Sequence, residues 1–201
     1  MKRLFISALA LGMTSFAFAQ KGSILVGGDL GFNFGNNKNT EVKTNSIDFN
    51  PMVGYQFTDN WTAGVLGVSS FGKTEDVNGS VTTTAKNSTF GGGLFVRYSK
   101  PLSSIFNLYF QAEGTTSVTK GETETKSGST SLTVKNDDIN NFGVKLYPAV
   151  FVNLKDNFGL NFNFGGFNFN SSKVDVDGAK AVTNTGLTFG KTVNIGITKN
   201  F

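Results

Sequence analysis

The sequence predicts an all-β fold: a closed antiparallel up-and-down transmembrane β-barrel of eight strands, with short periplasmic turns and long extracellular loops. Three observations predict it. The chain starts with an export-type leader, continues as eight runs of apolar/polar alternation, and joins those runs by connections that are in turn short and long.

The leader comes first. Lys2 and Arg3 supply a positive start, Leu4 to Gly12 an apolar run, and Ala17-Phe18-Ala19 a small-x-small cleavage site, the three parts of a secretory signal. Residues 1–19 are expected to be a cleaved signal peptide, with the mature chain starting at Gln20. The apolar run is too short to cross a bilayer as a helix, and no later stretch reaches the roughly 20 consecutive apolar residues that a spanning helix needs. Residues 20–201 then form one domain, the β-barrel.

Composition narrows the class. The chain holds 21 Phe and 25 Gly beside 3 Pro, one Trp and no His, and only 16% of its residues are charged, against about 25% in soluble domains. Without Cys, neither a lipoprotein anchor on an N-terminal Cys nor a disulfide framework is expected. The net charge of +4 loses two positive charges with Lys2 and Arg3, which leaves too small a surplus to argue for nucleic acid.

Each strand is read from its period of two. The first carries Ile24, Val26, Leu30, Phe32 and Phe34 on one face, with Asp29, Gly31, Asn33 and Gly35 on the other. The second sets Ile47, Phe49, Val53, Tyr55 and Phe57 against Asp48, Asn50, Gly54 and Gln56. The third shows Trp61, Ala63, Val65 and Gly67, the fourth Phe90, Leu94, Val96 and Tyr98, and the fifth Phe106, Leu108, Phe110 and Ala112. The sixth shows Phe142, Val144, Leu146, Val150 and Val152, and the seventh Phe158, Leu160, Phe162 and Phe164. The last shows Leu187, Phe189, Val193, Ile195, Ile197 and Phe201. A soluble β-sandwich also alternates, so the connections have to discriminate. Short ones (58–60, 100–104, 155–157) interleave with long ones (73–87, 119–138, 171–184), the rhythm of a membrane barrel and not of a sandwich.

Parity tests the assignment, because opposite residues of an antiparallel pair share a face. Asn78-Gly79 and Asp177-Gly178 read as two-residue hairpin turns. Folding about the first sets Trp61 against Val96, and folding about the second sets Phe158 against Ile197; the apolar faces agree. Closure removes strand edges, which hydrocarbon does not tolerate, so the strand count is even and both termini are expected on the periplasmic side. Tyr55, Phe57, Trp61, Tyr98, Phe106, Phe158 and Phe201 would form an aromatic girdle there. Phe32, Phe34, Phe49, Phe71, Phe90, Phe142, Phe164 and Phe189 would lie nearer the outer rim.

These features, with the terminal run from Val193 to Phe201, resemble the small eight-stranded outer-membrane barrels of the OmpA/OmpX type. The resemblance covers the mature chain. It implies an outer-membrane location in a Gram-negative bacterium and contact with outer-membrane lipid. It also implies that Val193, Ile195, Ile197 and Phe201 form the signal read by the barrel-assembly machinery. Lys199 and Lys191 depart from the pattern as outward charges, close enough to the two interfaces for Lys199 to snorkel and for Lys191 to cost little.

Inward parity places Asp29, Asp48, Arg97, Glu113 and Lys145 in the lumen as a charge network. Folding about Ser129 sets Glu113 opposite Lys145 and predicts an ion pair, with Arg97 and Asp29 lower down. The inward Phe95, Tyr109, Tyr147 and Phe151 favour a lumen filled by side chains. Lack of His and Cys removes Ser-His triads and the usual transition-metal sites. Asp175-Val176-Asp177-Gly178 lacks the later ligands of a calcium loop, and Gly91-Gly92-Gly93 lacks the Lys and helix of a phosphate loop. The second triplet reads instead as close packing or a bend in a strand. No catalytic residue, metal site or cofactor is expected.

The second and third long loops keep alternation at Val81-Thr82-Thr83-Thr84 and Leu132-Thr133-Val134, so their hairpins are expected to rise beyond the membrane. Protruding edges can add a partner's strand. The expected role is non-enzymatic, structural or adhesion-like, toward an extracellular protein or surface ligand. The alternatives are a narrow porin-like channel for small solutes and a secreted soluble β-sandwich.

Overall fold

The computed structural model describes residues 22–201, without the side chains of residues 191–194. The expected signal segment and Gln20 lie outside the described residues, as do the side chains of Lys191 and Val193.

Alternation gives every strand a polar and an apolar face, and a sheet of such strands can hide its polar face by curling shut. The strands are β1 (Ile24–Asn37), β2 (Val42–Gln56), β3 (Trp61–Asn78), β4 (Val81–Pro101), β5 (Phe106–Ser127), β6 (Thr130–Lys135), β7 (Ile139–Lys155), β8 (Phe158–Val174) and β9 (Val182–Asn200). All pairings are antiparallel, in the order β4-β3-β2-β1-β9-β8-β7-β5-β6, and β4 pairing with β5 closes the ring. Both β6 and β7 pair with β5, β6 above and β7 below. They therefore occupy one strand position, and the barrel has eight. A single closed sheet excludes the two-sheet sandwich.

The apolar faces point outward. Leu94, Val65, Phe110 and Ile195, each on a different strand, are all more than half exposed. A belt of this size would drive association in water and suits lipid. The inward faces form two small apolar clusters, Leu25, Met52, Leu66 and Phe95 on one side and Tyr109, Tyr147, Ala149 and Phe151 on the other.

Three registers differ from the sequence-based expectation. The first hairpin turns at Gly79-Ser80, not at Asn78-Gly79, so Asn78 faces Val81 and Trp61 faces Tyr98. Gly79 supplies the positive φ of 59° that this turn needs. The shift of two residues leaves the faces unchanged. The lower part of β8–β9 is displaced likewise, with Phe158 opposite Lys199 and Leu160 opposite Ile197. The connection there is longer than a two-residue turn, running from Val174 to Val182.

The third difference is a bulge. Between Asn163 and Gly165 the β8–β9 register slips, from Asn163↔Asn194 to Gly165↔Phe189, around Gly165 with φ of 100°. An irregularity of this kind swaps which residues face outward. Phe164 lies in the slip and has no register partner in β7 or β9, and beyond it Phe167 and Phe169 carry the outward row, Phe169 meeting the outward Phe142 edge-on at 6.4 Å.

The polar connections at 73–87 and 119–138 are largely strand. β3, β4 and β5 continue unbroken above the apolar belt, and β5 turns at Gly128-Ser129 into β6. Residues 136–138 then separate β6 from β7 and add one residue to the register. That is how Glu113 comes to face Lys145 although the tip turn alone would set the pairing one residue off.

Candidate functional site: the barrel lumen

Burial of polar side chains is tolerated only when they bond one another, and the lower lumen is built on that rule. Arg97 on β4 and Gln111 on β5 face each other across a rung. Gln111 is 1% exposed and Arg97 4%. Arg97 Nε donates to Gln111 Oε1 at 2.6 Å, and its guanidinium lies 4.0 Å over the Tyr109 ring. The Gln111 amide donates to Glu113 Oε1 at 2.6 Å and to the Tyr147 hydroxyl at 2.8 Å. Tyr147 donates in turn to Glu113 at 2.6 Å. Phe95 and Phe151 fill the space beside this network. Beside it Asn161 donates to Thr198, and at the base Ser23 donates to Gln56. The base of the barrel is thus a solid plug.

Above the plug the lumen opens into a chamber of about 710 Å³. All of Asp29, Asp48, Arg97, Glu113 and Lys145 line it, together with Asn50, Asn141, Asn161 and Asn163. Glu113 and Lys145 are register partners but form no ion pair. The expected pair fails because the Glu113 carboxylate is already held by Tyr147 and Gln111, two shorter, stiffer partners rooted in the plug. Asp29, Asp48 and Lys145 have no hydrogen-bond or ion-pair partner among the described residues. Gln111 is the residue that sequence reasoning missed. Its inward parity between Tyr109 and Glu113 carries the signal, since a neutral amide can join an acid to a base where charges alone would be compared.

The aromatic residues sort by height. Tyr55, Phe57, Trp61, Tyr98, Phe106, Phe158 and Phe201 lie at the end with the short turns, where Trp61 and Tyr98 meet edge-on at 5.1 Å. Phe71 and Phe90 meet at 5.2 Å at the opposite border. Ile195 and Ile197 face outward on β9, and Phe201 exchanges backbone hydrogen bonds with Ile24. Beyond the border the strands carry exposed ion pairs, among them Lys73–Glu75 at 3.0 Å and Lys86–Glu122 at 2.9 Å. The Lys73 contact holds the Glu75 carboxyl below the usual glutamate range.

A closed antiparallel ring of eight strand positions with an apolar outside and a polar, plugged inside has the architecture of the small outer-membrane barrels. No family model matches the chain, and no curated protein matches it. Among solved structures it is similar to the crystal structure of Ail, the attachment invasion locus protein of Yersinia pestis. The identity is 17%, the match covers 89% of this chain and 99% of that one, and the TM-score is 0.37. Ail in a phospholipid bilayer nanodisc matches at 17% identity over 90% of this chain and 100% of that one, with a TM-score of 0.30. The N-terminal β-barrel domain of Pseudomonas aeruginosa OprF matches at 12% identity over 90% and 98%, with a TM-score of 0.29. The architecture itself is read from the strand registers.

Proposed function

We propose that this chain is a non-enzymatic barrel of the Gram-negative outer membrane that binds an extracellular protein or surface ligand through the sheet it carries above the lipid belt. The observation behind this reading is the continuous pairing of β3, β4, β5 and β6 beyond the belt. β6 pairs only with β5, so its far edge is free among the described residues, with Leu132 and Val134 exposed. Free main-chain donors and acceptors beside exposed apolar residues suit strand addition by an extended partner.

In this reading both termini are periplasmic, the lower aromatic residues form a girdle at that interface, and Val193, Ile195, Ile197 and Phe201 guide assembly. The plug argues against the porin-like alternative. Surface display on a non-adherent strain tests the role: cells carrying the protein should attach to protein-coated surfaces. A proline at Thr133 in β6 should abolish attachment while the barrel keeps its heat-dependent mobility in gels. Attachment unchanged by that substitution would overturn the proposal, and steady conductance in planar bilayers would favour the channel.

A further inference from the structure

β6 is held from one side. Six rungs, from Ser127↔Thr130 to Glu122↔Lys135, join it to β5, and among the described residues no strand pairs with its other side. All six of its residues are exposed.

The ladder decides which backbone groups stay free. Hydrogen-bonded rungs alternate along an antiparallel pair, and the two-residue turn at Gly128-Ser129 makes Ser127↔Thr130 such a rung. In the same phase the Asn136 amide donates to the Gly121 carbonyl at 2.9 Å. Thr130, Leu132 and Val134 therefore direct their N–H and C=O groups to β5. Those of Ser131, Thr133 and Lys135 point to the open side.

Open edges are ordinarily blunted by proline, a bulge or charges along the strand. β6 has no proline, its rungs run without a slip, and its one charge, Lys135, stands at the end. The edge also complements itself. Laid antiparallel against a second copy with Thr133 facing Thr133, it brings residues of like face together: Leu132 faces Val134 of the copy, and Ser131 faces its Lys135. Thr133↔Thr133 and the two Ser131↔Lys135 rungs are then hydrogen-bonded, since these residues hold the free groups. Centring on Leu132 instead leaves only the two Ser131↔Thr133 rungs bonded. Charge agrees with the first register. Lys135 has no ion-pair partner among the described residues. Ser131 Oγ donates to Glu124 Oε1 at 2.9 Å, so a carboxylate, held also by Lys126 at 3.0 Å, stands at the residue that the copy's Lys135 faces.

Symmetry then fixes how the two molecules are placed. Identical antiparallel strands in one sheet are related by a two-fold axis normal to that sheet. The rotation reverses β6, and because β5 runs unbroken from the barrel wall into the extension, it reverses the barrel and its membrane too. Two copies in one membrane carry β6 in the same direction and cannot form this ladder.

We propose that β6 pairs with β6 of a second copy displayed on a facing membrane, so that the extension joins two cell surfaces. The proposal rests on the surface-binding reading above and names its partner. Three hydrogen-bonded rungs make a single contact weak, and many copies on two facing membranes add such contacts together.

The chain has no Cys, so single-cysteine variants of this exposed strand report on the pairing alone. Barrels carrying Thr133→Cys, one per phosphatidylcholine nanodisc, should link disc to disc under mild oxidation, because the central rung sets the two Cα atoms about 5.5 Å apart. Ser131→Cys alone and Lys135→Cys alone should stay unlinked, their symmetry mates lying about 13 Å apart at about 3.3 Å per residue. Mixing those two preparations should link them. Electron micrographs of the linked pairs should show the discs at opposite ends. In phosphatidylcholine liposomes holding many copies, the unmodified protein should cluster the vesicles. Thr133→Pro, which an edge N–H facing solvent tolerates, should lower clustering about tenfold or more while heat-dependent mobility is kept. Absence of the Thr133→Cys link, equal linking by all three single variants, discs side by side, or clustering untouched by the proline would overturn the proposal. Attachment to protein-coated surfaces without the Thr133→Cys link would overturn the self-pairing alone and give the edge a foreign strand as occupant. Loss of heat-dependent mobility in the unmodified protein would overturn the membrane reading beneath both.

Discussion

Two seams of the barrel wall differ. β4 and β5 pair without irregularity from Pro101↔Asn107 to Val81↔Ser127, through the belt and into the extension. β1 and β9, on the other side of the ring, stop at Asp29↔Gly196. Glycines mark the contrast. A Cβ at Gly91 or Gly93 would lie 2.1 Å from a carbonyl of β5, so there the absent side chain permits close backbone pairing. At Gly196 the space is taken by the carboxylate of Asp29. Gly27 repeats that close approach low in the β1–β9 seam, 2.6 Å from the Ile197 carbonyl, and only at the last rung does a side chain take the space.

Substitutions can break this contrast, the most damaging on the continuous wall. Gly93→Val drives a side chain into the Gly114 carbonyl and should cost about 3 kcal/mol or more. Little heat-modifiable barrel should then form, while Gly196→Ala, which meets mainly a side chain, should still fold. Refolding yield on gels reads both.

Arg97→Ala removes the guanidinium between Gln111 and the Tyr109 ring, and should cost about 3 kcal/mol through an unpaired amide and a lost cation–π contact. Urea unfolding followed by Trp61 fluorescence measures it. The same variant should raise conductance in planar bilayers if the plug is what seals the base.

Leu94→Arg, on the lipid face of β4, should cost about 2 kcal/mol or somewhat more. Leu132→Arg, on β6 above the belt, should stay within about 0.5 kcal/mol. Equal costs would mean that the belt has been placed at the wrong height.

The smallest effect concerns the extension. Glu75 is depressed by Lys73, so their contact is present above the ordinary glutamate pKa and is lost as pH falls through the lowered value. An NMR titration of the Glu75 carboxyl should give a midpoint below that of ordinary glutamates, and Lys73→Ala should raise it.

Face assignment was legible in the sequence because parity survives a register error of two residues. That is why Trp61 could be set against Val96 instead of Tyr98 without moving any residue to the wrong side. The bulge at Gly165 was not legible, since Phe162, Phe164, Phe167 and Phe169 look like one apolar run and only the neighbouring registers show the change of phase. The five lumen charges were readable from inward parity. Their partners were not, because opposite charge on facing residues predicts a pair only when neither side chain has a better bond, and Glu113 has two. The parted wall left no trace either, as Leu30, Phe32 and Phe34 alternate as regularly as any paired strand.

Cross-strand amide contacts measured by NMR on the barrel in nanodiscs test the uneven closure most directly. The account predicts β4–β5 contacts along the whole of β4, and β1–β9 contacts from Leu25↔Asn200 to Asp29↔Gly196 that then cease. Contacts continuing between residues 30–37 of β1 and 188–195 of β9 would contradict it.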